Sequence, residues 1–315
     1  MKYVTQDWSF DPFVVIAAVT IAANELGLYR LRQHSVPARS RRRRRNSLLF
    51  YAGLASLLLA ISSPIDYWSS RYFYVHMIEH VMMMFLAPVL IVVGAPWIPL
   101  MFALPVTTRR KVGRFFYLSK KARGFRVIGR FIRSPWVAFL SFNAAMLVWH
   151  VPALFDLSES NAFVHVWLMH ASFIVTGVLF WLQIIESYPM KPSRGPLWQG
   201  GIVLSTNVIM TVLAMSMSIL TASSWYSAYA HVPGVTLSPF ADQQIGAAIL
   251  WVCGDFWAYP ALIFIIRRAI AQEGSFSKVL DRVTEHGAAP ILESFRRDRV
   301  PATPPTELLE GSSET

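Results

Sequence analysis

The sequence predicts an all-α, polytopic transmembrane bundle of about seven helices, with the N-terminus outside and the C-terminus in the cytoplasm. Three observations predict it. Hydrophobic residues make up 54% of the 315 and charged residues only 15%, more apolar side chain than one water-soluble core would bury. Apolar stretches of about 18 or more residues, enough for a helix to cross a roughly 30 Å hydrocarbon layer, recur along the chain. Finally, every Lys and Arg except Lys2 and Arg71 falls in four alternate connections: Arg30–Arg45, Arg109–Arg133, Lys191 with Arg194, and Arg267–Arg299. Short loops rich in Lys and Arg stay cytoplasmic, so this placement sets those four segments inside and requires an odd number of spans.

The spans read Pro12–Tyr29, Ser47–Ile65, Tyr72–Val93, Pro135–Val151, Ala162–Ile185, Leu197–Ala222 and Ala241–Ile266. The first is kept as a membrane helix because Asp7 and Asp11 precede it and the basic cluster follows, the reverse of a cleaved signal. After the third span, Gly94-Ala-Pro-Trp-Ile-Pro99 breaks the helical pattern and predicts an interfacial or partly re-entrant turn. Between Thr107 and Ser134, Phe115, Phe116, Tyr117 and Phe125 alternate with cations, which predicts a short amphipathic helix on the inner leaflet. Residues 1–270 form one membrane domain. Residues 271–315 read as a cytoplasmic tail, disordered towards its Pro- and Ser-containing end.

The formal charge of +11 raises nucleic acid as a partner, but its confinement to alternate loops reports topology instead. The run Arg41–Arg45 reads as an anchor near anionic lipid headgroups, with no nucleic-acid role. The lone Cys253 excludes an intrachain disulfide and a thiolate cluster. Trp8, Trp68, Trp149, Trp167 and Trp225 read as an aromatic belt at the outer interface. Glu25 and Asp255 are expected to pair between helices with a Ser, Asn or Arg.

Chemistry is concentrated in the histidines. His76 and His80 begin the third span, His150 ends the fourth, and His165 and His170 open the fifth; because helices alternate in direction, all five share the outer level. His231 and Asp242 lie on that side too, while His34 and His286 are cytoplasmic. Ionisable groups in a bilayer are costly, so their concentration at one depth needs a reason, and a metal is the preferred one. His76 and His80 are four apart, one α-helical turn, which suits shared coordination. His165 and His170 are five apart, roughly 140° round an α-helix, so they need not point to one site, and His165 ranks first as nearer the surface. The expected ligands are His76, His80, His150, His165 and Asp242. Imidazole suits copper, zinc, iron and nickel, while thioether sulfur favours Cu(I). Met77, Met82, Met83 and Met84 share the third span with the histidine pair; Met84 continues the His76/His80 face, and most of the others read as packing.

His76-Met-Ile-Glu79-His80 also matches the His-x-x-Glu-His pattern of one class of zinc peptidase, in which the Glu would be general base. Glu79 reads equally as a group that orients an imidazole.

The chain resembles the CtaG-type cytochrome c oxidase assembly proteins. The resemblance rests on His76-Met-Ile-Glu-His80 leading into Leu86-Ala-Pro-Val-Leu-Ile-Val-Val-Gly-Ala-Pro96, on Trp149-His-Val-Pro-Ala-Leu-Phe155, on the His165 to His170 segment, and on Asp242-Gln-Gln-Ile-Gly246 followed by Trp251. Glu79 departs from the neutral residue expected at its place in many members. The resemblance implies a multi-pass protein of the bacterial plasma membrane needed to mature a haem–copper oxidase, at the copper-insertion step. It implies oxidase subunits and an extracytoplasmic copper chaperone as partners; together with the neutral imidazoles, which can hold a monovalent ion without a large charge penalty, it leads to a carrier of Cu(I) in place of an enzyme. The alternatives are a copper transporter using the same cluster as entry site, a haem-binding oxidoreductase with paired axial histidines, and the metallopeptidase.

Overall fold

In the computed structural model, which describes residues 12–33 and 35–273, the regular structure is helical apart from one isolated bridge between Ser187 and Met190. Trp8, His34, His286 and the tail from residue 274 onward lie outside the described residues. In chain order the helices are α1 (Pro12–Arg32), α2 (Pro37–Ser62), α3 (Pro64–Ser69), α4 (Phe73–Gly94), α5 (Trp97–Ala103), α6 (Val106–Leu118), α7 (Arg123–Ile132), α8 (Pro135–Trp149), α9 (Pro152–Ser160), α10 (Val164–Trp181), α11 (Pro196–Ser218) and α12 (Pro239–Glu273). The chain divides into two compact units at Ile265. The bundle is the first, and the second is described only as helix, to Glu273.

Among the described residues α1, α2, α4, α10, α11 and α12 are each long and apolar enough to cross a membrane. The expected fourth span is shorter than read. α8 has 15 residues, about 22 Å of helix, and qualifies only when joined to Lys120–Ile132, from which it is bent by 64°. Local chemistry sets both ends. The Ser134 hydroxyl accepts the Val137 amide and Pro135 occupies the first helical turn; at the other end, Pro152 opens a new helix. Six spans are thus plain and a seventh is bent.

The break after α4 is a turn through Ala95, whose φ of 46° is left-handed, followed by the short helix α5. α5 lies so close to α1 that a Cβ on Gly27 would fall 1.8 Å from the Pro99 carbonyl oxygen, so only glycine fits. The single amphipathic helix expected after it is two helices, α6 and α7, neither with a buried residue. Phe125, Ile128 and Phe131 expose one apolar face of α7.

The polar pairs inside the bundle follow expectation. Arg44 on α2 takes the Glu25 carboxylate of α1, which Tyr51 also contacts, and Asn207 on α11 donates to Asp255 on α12 at 3.2 Å. Trp149 does more than anchor an interface: its indole N–H donates to Ser172 at 2.8 Å and fastens α8 to α10. Met83, Met84, Met146, Met169, Met210 and Met217 are buried in the apolar core, as packing residues should be.

A candidate metal centre at one end of the bundle

One carboxylate starts the site. The first two amides of α4 have no partner within their own helix, and Asp242 supplies one, accepting Phe73 N–H at 2.7 Å and Tyr74 N–H at 2.9 Å. Both oxygens of this expected ligand are therefore engaged as a helix cap. On the same helix as Asp242, Gly246 leaves room for α4; a Cβ there would lie 2.5 Å from the Phe73 ring. α4 so placed presents His76 and His80 one turn apart, with their Nε2 atoms 2.6 Å from each other and both rings buried.

α10 brings the other pair, and here the α-helical expectation is corrected. Val164–His170 is a π-helix, with hydrogen bonds from i to i+5, so residues five apart stack on one face. His165 and His170 face each other with ring centroids 4.4 Å apart, and His170 belongs to the cluster as fully as His165. The wide turn begins where Asn161 accepts the amides of Phe163 and Val164. A second π segment, Met82–Leu86, follows His80 on α4.

The rings form a continuous group: His76 lies 5.5 Å from His165, and His80 lies 5.7 Å from His150, centroid to centroid. Two carboxylates enter it. Glu159 on the short helix α9 places Oε1 3.2 Å from His165 Nδ1 and 3.4 Å from His76 Nδ1. Glu79 places Oε1 3.3 Å from His170 Nε2, and one ligand atom each from Glu79, His165 and His170 lie within 4.8 Å of one another. Sequence reasoning missed Glu159, because Pro152–Ser160 reads as an outer loop; the only available signal was its place between His150 and His165. His231, expected on this side, is exposed in a turn.

Hydrogen-bond partners assign the imidazole tautomers. His150 Nδ1 lies 2.6 Å from the Met146 carbonyl oxygen, which can only accept, so Nδ1 carries the proton. Its Nε2 then bears a lone pair, and that lone pair meets the Met77 thioether at 3.4 Å. Two acceptors face each other with no hydrogen between them. The Tyr229 phenol donates to the Ser69 carbonyl at 2.8 Å and so accepts Nδ1–H of His76 at 3.1 Å, leaving His76 Nε2 free to accept. Tyr226 donates to the His150 carbonyl at 3.2 Å. Burial pushes both phenols up from their ordinary range, Tyr229 strongly, so they stay neutral donors.

Several of these buried atoms lack a hydrogen-bond partner, among them both Glu79 oxygens, His80 Nδ1 and both His170 nitrogens. Unsatisfied polar atoms in a bilayer cost several kcal/mol each, and a cation is one way to recover that cost. The donors sort by softness. His76, His80, His150 and Met77 offer nitrogen and sulfur; Glu79, His165, His170 and Glu159 offer nitrogen and oxygen. The expected Met84 is buried in the core, and Met77 is the methionine that reaches a histidine.

The chain is 26% identical over 287 residues to uncharacterized proteins of Mycobacterium bovis and Mycobacterium tuberculosis, covering 87% of this chain and 41% of each relative. A third uncharacterized protein, from Mycobacterium leprae, is 25% identical over 267 residues, covering 82% of this chain and 38% of the relative. The chain thus spans about two fifths of the length of the curated relatives it matches. No solved structure matches it. The model of the cytochrome c oxidase caa3 assembly factor family (Caa3_CtaG) matches residues 25–272, from the middle of α1 to the end of α12, and the chain belongs to that family.

Proposed function

We propose that this multi-pass protein of the bacterial plasma membrane holds Cu(I) at the outer ends of its helices and passes it to the catalytic subunit of a haem–copper cytochrome c oxidase. The observation that carries the reading is the lone pair of His150 Nε2 turned on the Met77 sulfur. A nitrogen and a thioether, both buried and neither carrying a proton, form a soft ligand pair, and Cu(I) is the soft biological ion. His76 and His80 complete a neutral set for a monovalent ion, which limits the charge penalty of binding in a low-dielectric site. His165 joins through Glu159 and His170, as the entry or exit side of the same group. Asp242 serves by holding the start of α4. An extracytoplasmic copper chaperone would supply the ion from the same side.

A carrier is favoured over a transporter by what lies further along the same helices. Phe85 stacks on Trp257, Phe142 stacks on Phe180, and Trp257 packs edge-on against Phe180. These rings offer no ligand to a migrating ion, and the polar groups near them are hydrogen-bonded in pairs, Asn143 to Thr206 and Asn207 to Asp255, whereas a transport path needs polar groups in sequence.

The test is anaerobic titration of the purified full chain with Cu(I) against a chromophoric chelator, paired with oxidase maturation in cells. One tightly bound Cu(I) is expected, lost in His76→Ala and His80→Ala together with oxidase maturation while the protein remains in the membrane. Normal maturation in both variants would overturn the reading.

A further inference from the structure

The five-arginine run is not one uniform charged face. Arg44 turns to Glu25, where it is neutralised. Arg39, Arg42 and Arg43, at spacing i, i+3 and i+4, lie on one side of α2 and line a crevice of about 630 Å³ at the end of the bundle opposite the histidines. Among the described residues none of the three is ion-paired; Arg43 donates to the Ser35 hydroxyl at 2.7 Å. The carboxylate in the crevice, Glu186, is taken by Lys191 at 3.3 Å. Three guanidiniums thus share a concavity with no counter-charge of their own.

The opposite wall is apolar and built. Val93 and Ile98 stand on either side of the left-handed turn at Ala95. The segment carrying Glu186 and Tyr188 is tied down through Ser187, which accepts from the Trp97 indole at 2.7 Å and donates to the Val92 carbonyl. Cations on one wall and aliphatic side chains on the other match a headgroup phosphate joined to a glycerol and acyl chains better than they match a free anion. The position agrees, because the crevice lies where α2 turns from Arg45 into its apolar run at Leu48 and where α4 ends. That is headgroup depth on the cation-rich face.

We propose that this crevice is a binding site for the phosphate of an anionic phospholipid, seated between Arg39, Arg42 and Arg43 with its acyl chains leaving along Val93 and Ile98. Guanidinium suits the role, since its planar fork makes paired hydrogen bonds to phosphate oxygens and is weakly hydrated. The site is independent of the metal centre.

The experiment uses the purified full chain in a neutral detergent and measures thermal unfolding and retained lipid by native mass spectrometry. Phosphatidylglycerol is compared with phosphatidylcholine and with inorganic phosphate at matched concentration. The expected result is a rise in Tm of several degrees with phosphatidylglycerol alone, and about one retained lipid. R39Q/R42Q should lose both, while R110Q/R114Q, which removes equal charge from the exposed face of α6, should keep both. Both arginine pairs are exposed, so neither variant disturbs the core. Equal stabilisation by phosphatidylcholine would overturn the proposal, as would equal loss in R110Q/R114Q. An equal effect of inorganic phosphate would make the crevice a soluble-anion site and overturn the lipid assignment.

Discussion

His150 turns its free nitrogen on the sulfur of Met77 at 3.4 Å because its other nitrogen is committed to the carbonyl of Met146. The commitment is made within α8 itself, four residues back, so the ring is oriented before any ion arrives. A backbone carbonyl that fixes the tautomer is a recurrent partner of metal-bound histidine.

Met77→Leu isolates the sulfur, because Met and Leu differ little in volume and the swap costs under about 1.5 kcal/mol of stability. Cu(I) affinity should fall about tenfold or more, which is about 1.4 kcal/mol, while the affinity for Zn(II), which does not seek thioether, should hold. Competition titrations with both ions check it. Parallel losses would mean that the variant damages the cluster as a whole.

Glu79→Gln separates a carrier from a hydrolase. A general base at this position would be abolished by the amide, whereas a group that only lies beside the buried His170, 3.3 Å away, can be replaced by a neutral one of the same shape that is able to hydrogen-bond. Oxidase activity per unit of protein in membranes should stay near wild type in Glu79→Gln and drop further in Glu79→Leu. Complete loss in Glu79→Gln with copper binding intact would reopen acid–base chemistry.

Asp242→Ala tests the capping role. Removing a cap acceptor costs roughly 1–2 kcal/mol, so Tm should fall by a few degrees while the purified protein still binds one Cu(I). A copper deficit equal to that of His76→Ala would instead make Asp242 a ligand.

Orientation rests on the cations and is tested directly. Reporter fusions after Ser224 and after Thr303 should read outside and inside respectively; both on one side would mean that α12 does not cross and would reject the seven-span, N-out/C-in topology.

What the sequence made legible follows from regular geometry. The long apolar runs and the i, i+4 pair His76/His80 are periodic features, and they stand where an α-helix puts them. The convergence of His165 and His170 was not legible, because 100° per residue is the wrong rule for Val164–His170. Glu159 was hidden for a different reason. A short helix between spans carries no periodic signal, and its approach to His76 is a tertiary event. The short α8 was over-read by two residues, since His150 and Val151 continue the apolar composition after helical geometry has stopped at Trp149.

The phenol of Tyr229 ties the Ser227–Tyr229 turn to the histidine cluster, since the one hydroxyl contacts both the Ser69 carbonyl and His76 Nδ1. In the proposed carrier, a displacement of that turn would take a hydrogen-bond partner from His76, and loop motions run from nanoseconds to microseconds. The time an ion stays bound would then depend on this turn as well as on the ligand bonds.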